Sequence, residues 1–428
     1  MNTESETPAS HHYDVVVLGA GYAGLMAALR LARRRWQLRI ALVNASGQFV
    51  ERVRLQECIV AAVPARIPSI AALLRGTGIA FIRGEVISLD AVRRLVRISL
   101  GAEQRDIAFT EAIYALGSGI DVDEVPGAAE RAYRLAPGDG PRSAAALRLR
   151  LQSKGGGVLR VIVVGGAETA VEAAGEIKAA WPELEVTMLS RSHCGDFKGP
   201  RVTNAVRTEL TRLGVRLVDG EIVAEIGPGR ILTVGGRNYD YDVCVWAAGL
   251  RSPGVARDAG VATDPRSRIL VDAQLRSVSH PSILAVGDAA RPIAPTGAPY
   301  RLSAFVAAVS GAHAADVITA SQAGRTLWPF SFSSFGQGVA IGRGGVGFFS
   351  YPDDEQRFFI LGGPAARKAR NFFVWFFAYA LKLERRFPGF FSWPGRRRVS
   401  WHQANEALGR LERIPTIGAA FSSKQSIL

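Results

Sequence analysis

Two glycine-rich turns are where this chain is best equipped for chemistry. The first is Gly19-Ala-Gly21-Tyr-Ala-Gly24, set between the apolar run 14–18 and an alanine-rich helical start. The second is Gly165-Gly166-Ala167-Glu168, set between the apolar run 159–164 and a second helical start that carries Glu172. Glycine lets the backbone turn tightly and approach a pyrophosphate, which then rests on the positive N-terminus of the following helix. A single turn of this kind implies one bound dinucleotide. Two in one chain imply that one dinucleotide reduces the other.

Other residues take meaning from where they fall around these turns. An acidic residue after the second strand of a dinucleotide unit bonds both ribose hydroxyls and repels a 2′-phosphate. The second unit carries Ser190 and Arg191 there, a hydroxyl and a guanidinium, which favours NADPH over NADH. Ala167 and Ala170 replace the second and third glycines of the second turn, and a methyl at 167 stands where a pyrophosphate should approach. Ile113-Tyr-Ala115-Leu-Gly117 is echoed by Val243-Cys-Val-Trp-Ala-Ala-Gly249, so the repeat extends beyond the glycines. Gly287-Asp288-Ala289 follows a short apolar run and reads as a buried strand delivering an aspartate to a helix start. Cys58, Cys194 and Cys244 form no CxxC or CxxxxC pair, which speaks against a disulfide framework and fits a reducing compartment. No zinc-ligand spacing is present, so no metal is expected.

The elements that must position these residues alternate between strand and helix, so the class is α/β. A chain of 428 residues, 48 % hydrophobic, should form two or three domains. Strands are expected over 38–44, 79–83, 85–89, 95–100, 185–190 and 243–249, with helices over 23–34, 142–152 and 201–213 and another running from the second glycine turn to about 180. Residues 121–157, rich in Pro, Gly and Ala, read as a connector. The polar leader 1–12 is not a secretory signal. No stretch is read as reaching the ~20 apolar residues of a spanning helix. The net charge of +14 attracts polyanions, but no basic stripe with a nucleic-acid motif is present, so nucleic acid is not an expected partner.

Taken together, the two turns and the late Gly287-Asp288 resemble the two-dinucleotide flavoprotein superfamily, nearest to type II NADH dehydrogenases and apoptosis-inducing-factor-like oxidoreductases. The resemblance implies two Rossmann-like domains, the second inserted in the first, plus a smaller C-terminal α+β region. It implies an FAD domain over 13–125 and 270–322, an NAD(P)H domain over 155–269 and a C-terminal domain over 323–428. It further implies that Val86 offers its backbone to adenine and that Asn44 stands where an acidic residue usually meets the ribose. Arg52 would flank the flavin, Asp288 would hold the ribityl hydroxyls and open a helix aimed at the ring, and Glu172 would face the nicotinamide as the catalytic residue.

The implied activity is hydride transfer from NAD(P)H to FAD, then to a quinone or small organic acceptor. Alternatives are a flavin-dependent oxidase or tailoring enzyme that no longer uses nicotinamide, and a low-turnover redox sensor. The segment 367–398 is basic and aromatic, with 372–381 read as aromatic on all faces between Arg367, Lys368, Arg370 and Lys382, Arg385, Arg386. Such a segment fits either the surface of an anionic membrane, making a cytoplasmic protein peripheral on the inner face, or internal packing and a homodimer contact.

Overall fold

The computed structural model describes residues 11–32, 38–63, 66–67, 69–136, 140–153, 157–196, 199–292, 300–333, 336–350, 356–393 and 399–409. Most of the leader (1–10) and the arginines 396–398 lie outside the described residues.

The first apolar run forms the strand His11–Leu18, in which Val15, Val16, Val17 and Leu18 are wholly buried. A parallel strand covered on both faces has no solvent side, so its sequence shows no alternation. It pairs in parallel with Ile40–Asn44 on one side and Gln104–Tyr114 on the other. Ala80–Arg83 extends the sheet beyond Ile40–Asn44, and Leu95–Ser99 and Glu85–Asp90 extend it antiparallel on the far side. Ile283–Ala285 then joins Gln104–Tyr114 in parallel, with Ile283 opposite Ala112. Between those two strands the chain builds a whole second sheet, so the second unit is an insertion in the first.

The second sheet is parallel throughout, ordered Arg216–Asp219, Glu185–Ser190, Arg160–Val164, Val243–Trp246 and Tyr133–Arg134. Its last strand comes from the stretch expected to be a connector. That stretch therefore contributes to the fold, and also carries the helix Ala144–Gln152. Leu250–Arg251 pairs antiparallel with Gly119–Ile120, a short ribbon that ties the two units together.

The helix Tyr22–Leu31 packs along Ala304–Gln322. A Cβ on Gly311 would lie 2.1 Å from the Ala23 carbonyl oxygen, so only glycine permits this crossing. Ala304–Gln322 is long and apolar enough to span a membrane by length and composition, contrary to the sequence expectation. Two-thirds of it is buried, and its small residues serve helix packing in the core.

The C-terminal region is an antiparallel sheet of Gly336–Ile341, Gly344–Ser350 and Gln356–Gly362, followed by the 24-residue helix Gly363–Arg386. That helix is not uniform around its axis, which corrects the reading of 372–381. Val374, Ala378 and Leu381 face inward at i, i+4 and i+7, whereas Phe372, Trp375 and Tyr379 are exposed. The inward face lies on the small sheet and against Tyr22–Leu31. Arg30 pins the helix end: it meets Glu384 at 2.8 Å and Asp316 at 3.0 Å, and Glu384 also accepts from the Gly389 and Phe391 amides.

Candidate functional site

Parallel strands that end together leave a cleft at their carboxyl edge, and the first glycine turn opens there. Gly19 follows the first strand with φ +100°, and a Cβ on it would lie 2.4 Å from the Ala115 carbonyl oxygen. A Cβ on Gly24 would lie 1.8 Å from the Gly19 carbonyl oxygen. Gly21 is the opposite case: nothing stands within 4 Å of its Cβ position, and no side chain caps the helix it begins. The turn is thus closed by packing at its ends and open at its middle glycine, beside the unsatisfied amides of a helix N-terminus. That is the shape a pyrophosphate requires.

The open side faces a cavity of about 410 Å³. Gly21, Arg52, Ala115, Gly117, Gly287 and Asp288 line it from the first unit, and Glu168, Thr169 and Glu172 from the second. The C-terminal region closes it with Gln337, Phe348, Arg370, Phe373 and Phe377, among others. Residues from all three parts of the chain, separated by hundreds of positions, therefore share one space.

Asp288 does not open a helix, which corrects the sequence expectation. It sits in the 3-10 turn Gly287–Ala289, followed by the strand Ala290–Arg291, and the nearest long helix starts at Ala304 with Ser303 as its cap. Its carboxylate is held instead by Ser118, whose hydroxyl donates to Oδ2 at 2.8 Å. Arg52 donates to the Ser118 carbonyl, and burial lowers its affinity for the proton while the Asp288 charge opposes that. Arg52, Ser118 and Asp288 form one polar corner of the cavity.

A chain of ion pairs runs behind the wall and reaches the cavity at Arg370 and Glu172. Arg66 meets Glu51 at 3.1 Å, Glu51 meets Arg54 at 2.7 Å, Arg54 meets Glu57 at 3.0 Å and Glu57 meets Arg370 at 3.1 Å. Arg370 then grips Glu172 with Nε and Nη2, at 3.0 and 2.9 Å, while the Ala340 amide donates to Glu172 Oε1 at 2.9 Å. Burial pushes the Glu172 carboxyl above its usual range, and Arg370 and the Ala340 amide pull it back. Glu172 lines the cavity, but both its oxygens are committed to the C-terminal region. Arg370, read in the sequence as one of the cations flanking the aromatic run, is buried.

The remaining sequence candidates lie away from this cavity. Asn44 braces the first turn, accepting from the Ala20 amide at 2.9 Å and donating to the Ser46 carbonyl at 2.7 Å. Val86 lies on Glu85–Asp90, just past Gly84, whose amide donates to the Asn44 carbonyl at 3.0 Å. Ala289 is fully buried. In the second unit a Cβ on Gly166 would lie 2.2 Å from Ser190 Oγ, so the glycine is required by the packing of the buried serine. Gly165 turns at φ +141° and Ala167 caps Glu168–Ala180 by its backbone alone. Arg191 is exposed. Gly249, at φ +67°, accepts from the Asp121 amide at 3.0 Å where the two units join.

Burial pushes the Cys194 and Cys244 thiols up to about 12, so both stay protonated at neutral pH. All three cysteines are free, and among the described residues no group of His, Cys, Asp and Glu is arranged to hold a metal.

The sequence reading missed Ser118, Glu57, Gln337 and the role of Arg370. Each acts through a partner distant in sequence, which no local pattern records.

Comparison with known proteins agrees with this geometry. A family profile described as pyridine nucleotide-disulphide oxidoreductase matches residues 13–313. An NADH dehydrogenase-like protein of Mycobacterium tuberculosis is 32 % identical over 298 residues, covering 64 % of this chain and 72 % of that protein. A demethylphylloquinone reductase of Synechocystis is 24 % identical over 382 residues, covering 83 % of this chain and 90 % of the other. Among solved structures, the sulfide:quinone oxidoreductase of Aquifex aeolicus superposes with a TM-score of 0.75 at 17 % identity, covering 89 % of this chain and 94 % of that one, a likeness of fold.

Proposed function

The chain belongs to the pyridine nucleotide-disulphide oxidoreductase family, and we propose that it passes a hydride from NADPH through FAD to a quinone-type acceptor. The observation that carries this reading is the one cavity shared by the Asp288 corner, the Glu168 helix start and the aromatic C-terminal helix. The chain is an FAD-dependent pyridine nucleotide oxidoreductase. Flavin, when bound, supplies the two-electron chemistry, and the protein supplies binding, orientation and electrostatics.

Gly19, Gly21 and Gly24 with the helix start hold the pyrophosphate of FAD, and Asn44 and Val86 its adenosine end. Asp288, oriented by Ser118, takes the ribityl hydroxyls, while Arg52 sets the charge beside the ring. Ala115, Gly117 and Gly287 keep the backbone close to the ligand, and the fully buried Ala289 packs behind them. Gly165, Gly166, Ala167, Glu168 and Gly249 shape the nicotinamide loop, and Ser190 and Arg191 receive the 2′-phosphate. Glu172 acts as a positioning residue through Arg370. The working domain limits are 13–125 with 270–322, 155–269, and 323–428.

The quinone-type acceptor is supported by the demethylphylloquinone reductase among the relatives and by the aromatic wall of the cavity. Chemistry on a cysteine pair has no support, because all three cysteines are free and Cys194 and Cys244 are buried in the second unit, which leaves the half-buried Cys58 without a partner thiol. A nicotinamide-independent oxidase is favoured by one observation, the commitment of Glu172 to Arg370. The exposed aromatic face of Gly363–Arg386 supports a peripheral attachment to anionic membrane on the cytoplasmic side.

Anaerobic mixing of the FAD-loaded protein with NADPH and with NADH tests the reading. Both should bleach the flavin, NADPH the more efficiently. Arg191→Glu should reverse the order by about ten-fold, since a hydrogen bond to a charged group contributes roughly 1.5–3 kcal/mol. No bleaching by either coenzyme would overturn the reading in favour of the alternatives, a nicotinamide-independent oxidase or tailoring enzyme and a low-turnover redox sensor.

A further inference from the structure

Two polar side chains, Arg370 and Gln337, stand on the C-terminal wall of the cavity among phenylalanines, small residues and aliphatics. All five N–H donors of Arg370 are committed, to Glu172, Glu57, the Asn371 side chain and the Val53 carbonyl. Gln337 is different. Arg301 Nη1 donates to its Oε1 at 2.6 Å, and the Gln337 side chain makes no other hydrogen bond among the described residues. A guanidinium only donates, so the atom it meets must be the amide oxygen, and this fixes which way the amide lies. Two N–H groups on Nε2 remain for a ligand. The residue is held by its strand, where Gln337 pairs with Phe348, itself a lining residue.

We propose that Gln337 Nε2 holds a carbonyl oxygen of the acceptor, which makes it a specificity-determining residue for the oxidative half of the reaction. This rests on the quinone-type reading above. A quinone that takes up a hydride gains two electrons and one hydrogen, and one of its oxygens carries negative charge until water protonates it to the quinol. A fixed donor aimed at that oxygen is worth more as the charge develops. The Arg301 charge on the far side of the amide polarises it and strengthens the N–H as a donor. The acceptor class selected is therefore a planar aromatic carrying a carbonyl, in preference to a metal complex.

Two substitutions separate this role from a structural one. Gln337→Glu keeps an oxygen for Arg301 but removes the N–H donors, and Gln337→Leu removes both. Two readouts are needed: equilibrium binding of menadione to the oxidised flavoprotein by tryptophan quenching, and kcat/KM for menadione against ferricyanide. Both variants should weaken menadione binding about three- to ten-fold, by roughly one hydrogen bond between neutral groups. They should lower its kcat/KM by about 10²-fold, in the range for loss of one oxyanion donor. Ferricyanide, which takes single electrons and has no carbonyl, should lose far less. Unchanged menadione binding in Gln337→Glu, or an equal loss with ferricyanide, would overturn the proposal. Should the Leu variant fail to fold, the Glu variant decides. Failure of NAD(P)H to bleach the flavin would count against the parent reading alone, because the menadione titration needs no reduction.

Discussion

Arg370 sits where three separately folded parts of the chain meet, and it balances two carboxylates that would otherwise be stranded. It pairs with Glu172 of the second unit and Glu57 of the first, and its own helix belongs to neither. Breaking a buried pair by deleting one partner costs about 3–5 kcal/mol, because the other charge is left uncompensated. Arg370→Met should therefore lower unfolding stability by that amount in a denaturant titration, and adding Glu172→Gln should recover part of it. A loss below about 1 kcal/mol in the single variant would mean that water reaches Glu172. At this scale the glycines were legible, since a strand, a turn and a helix start announce them within a few residues; Asp288 was legible as a position on the cavity wall, but the short turn and strand that carry it were not. Asn44 was legible as a position but not as a contact: its amide braces the turn. Arg370 was misread because it lies in a basic segment, and its partners are roughly 200 and 310 positions away.

The first turn behaves as a single device whose glycines do different work, and substitution should separate them. Gly24→Ala forces a methyl to within 1.8 Å of the Gly19 carbonyl, so the turn and both strands it joins must shift. Gly21→Ala meets no protein atom within 4 Å but fills the space proposed for the pyrophosphate. The Gly24 variant should lose soluble folded protein, whereas the Gly21 variant should fold and purify without flavin; circular dichroism and bound-flavin absorbance check this. Retention of flavin by Gly21→Ala would place the pyrophosphate elsewhere.

A second element-level test concerns the loop after Glu185–Ser190. Burial pushes Asp219 up, yet the Cys194 amide, His193 and Arg207 outweigh it and hold the carboxyl well below its usual range. A depressed carboxyl contributes stability above its unfolded value, about 3.9, and loses it as pH falls through the folded one. Asp219→Asn should therefore lower Tm at pH 7, and the difference should shrink steadily as pH falls below about 4. Most strands were legible from their apolar runs. Tyr133–Arg134 was not, because a two-residue strand leaves no pattern, and the long core helix hid in its alanines.

For the whole molecule, the open question is what covers the exposed aromatic face of Gly363–Arg386. Phe372, Trp375 and Tyr379 are 56, 45 and 43 % exposed. They form a ladder, with ring centroids 5.8 and 5.1 Å apart, and Phe387 and Phe390 continue the apolar surface past the helix end. Such a surface is costly to leave in water. A second copy of the chain is one cover, but it would bring the exposed Lys368, Lys382, Arg385 and Arg386 of each copy toward those of the other. In a chain of net charge +14 that repulsion is not local. An anionic bilayer answers both problems, since aromatics suit headgroup depth and cations suit the lipid phosphates. Co-sedimentation should therefore be strong with vesicles containing phosphatidylglycerol, weak with phosphatidylcholine alone, and should fall as salt screens the cations. Phe372→Ser with Trp375→Ser should reduce binding at every salt concentration, whereas Lys382→Glu with Arg386→Glu should reduce it mainly at low salt. No binding at low salt, together with a concentration-dependent dimer in ultracentrifugation that the serine substitutions abolish, would assign the face to a second copy. A quinone confined to the bilayer could then no longer be the acceptor that enters beneath this helix, and a water-soluble one would take its place.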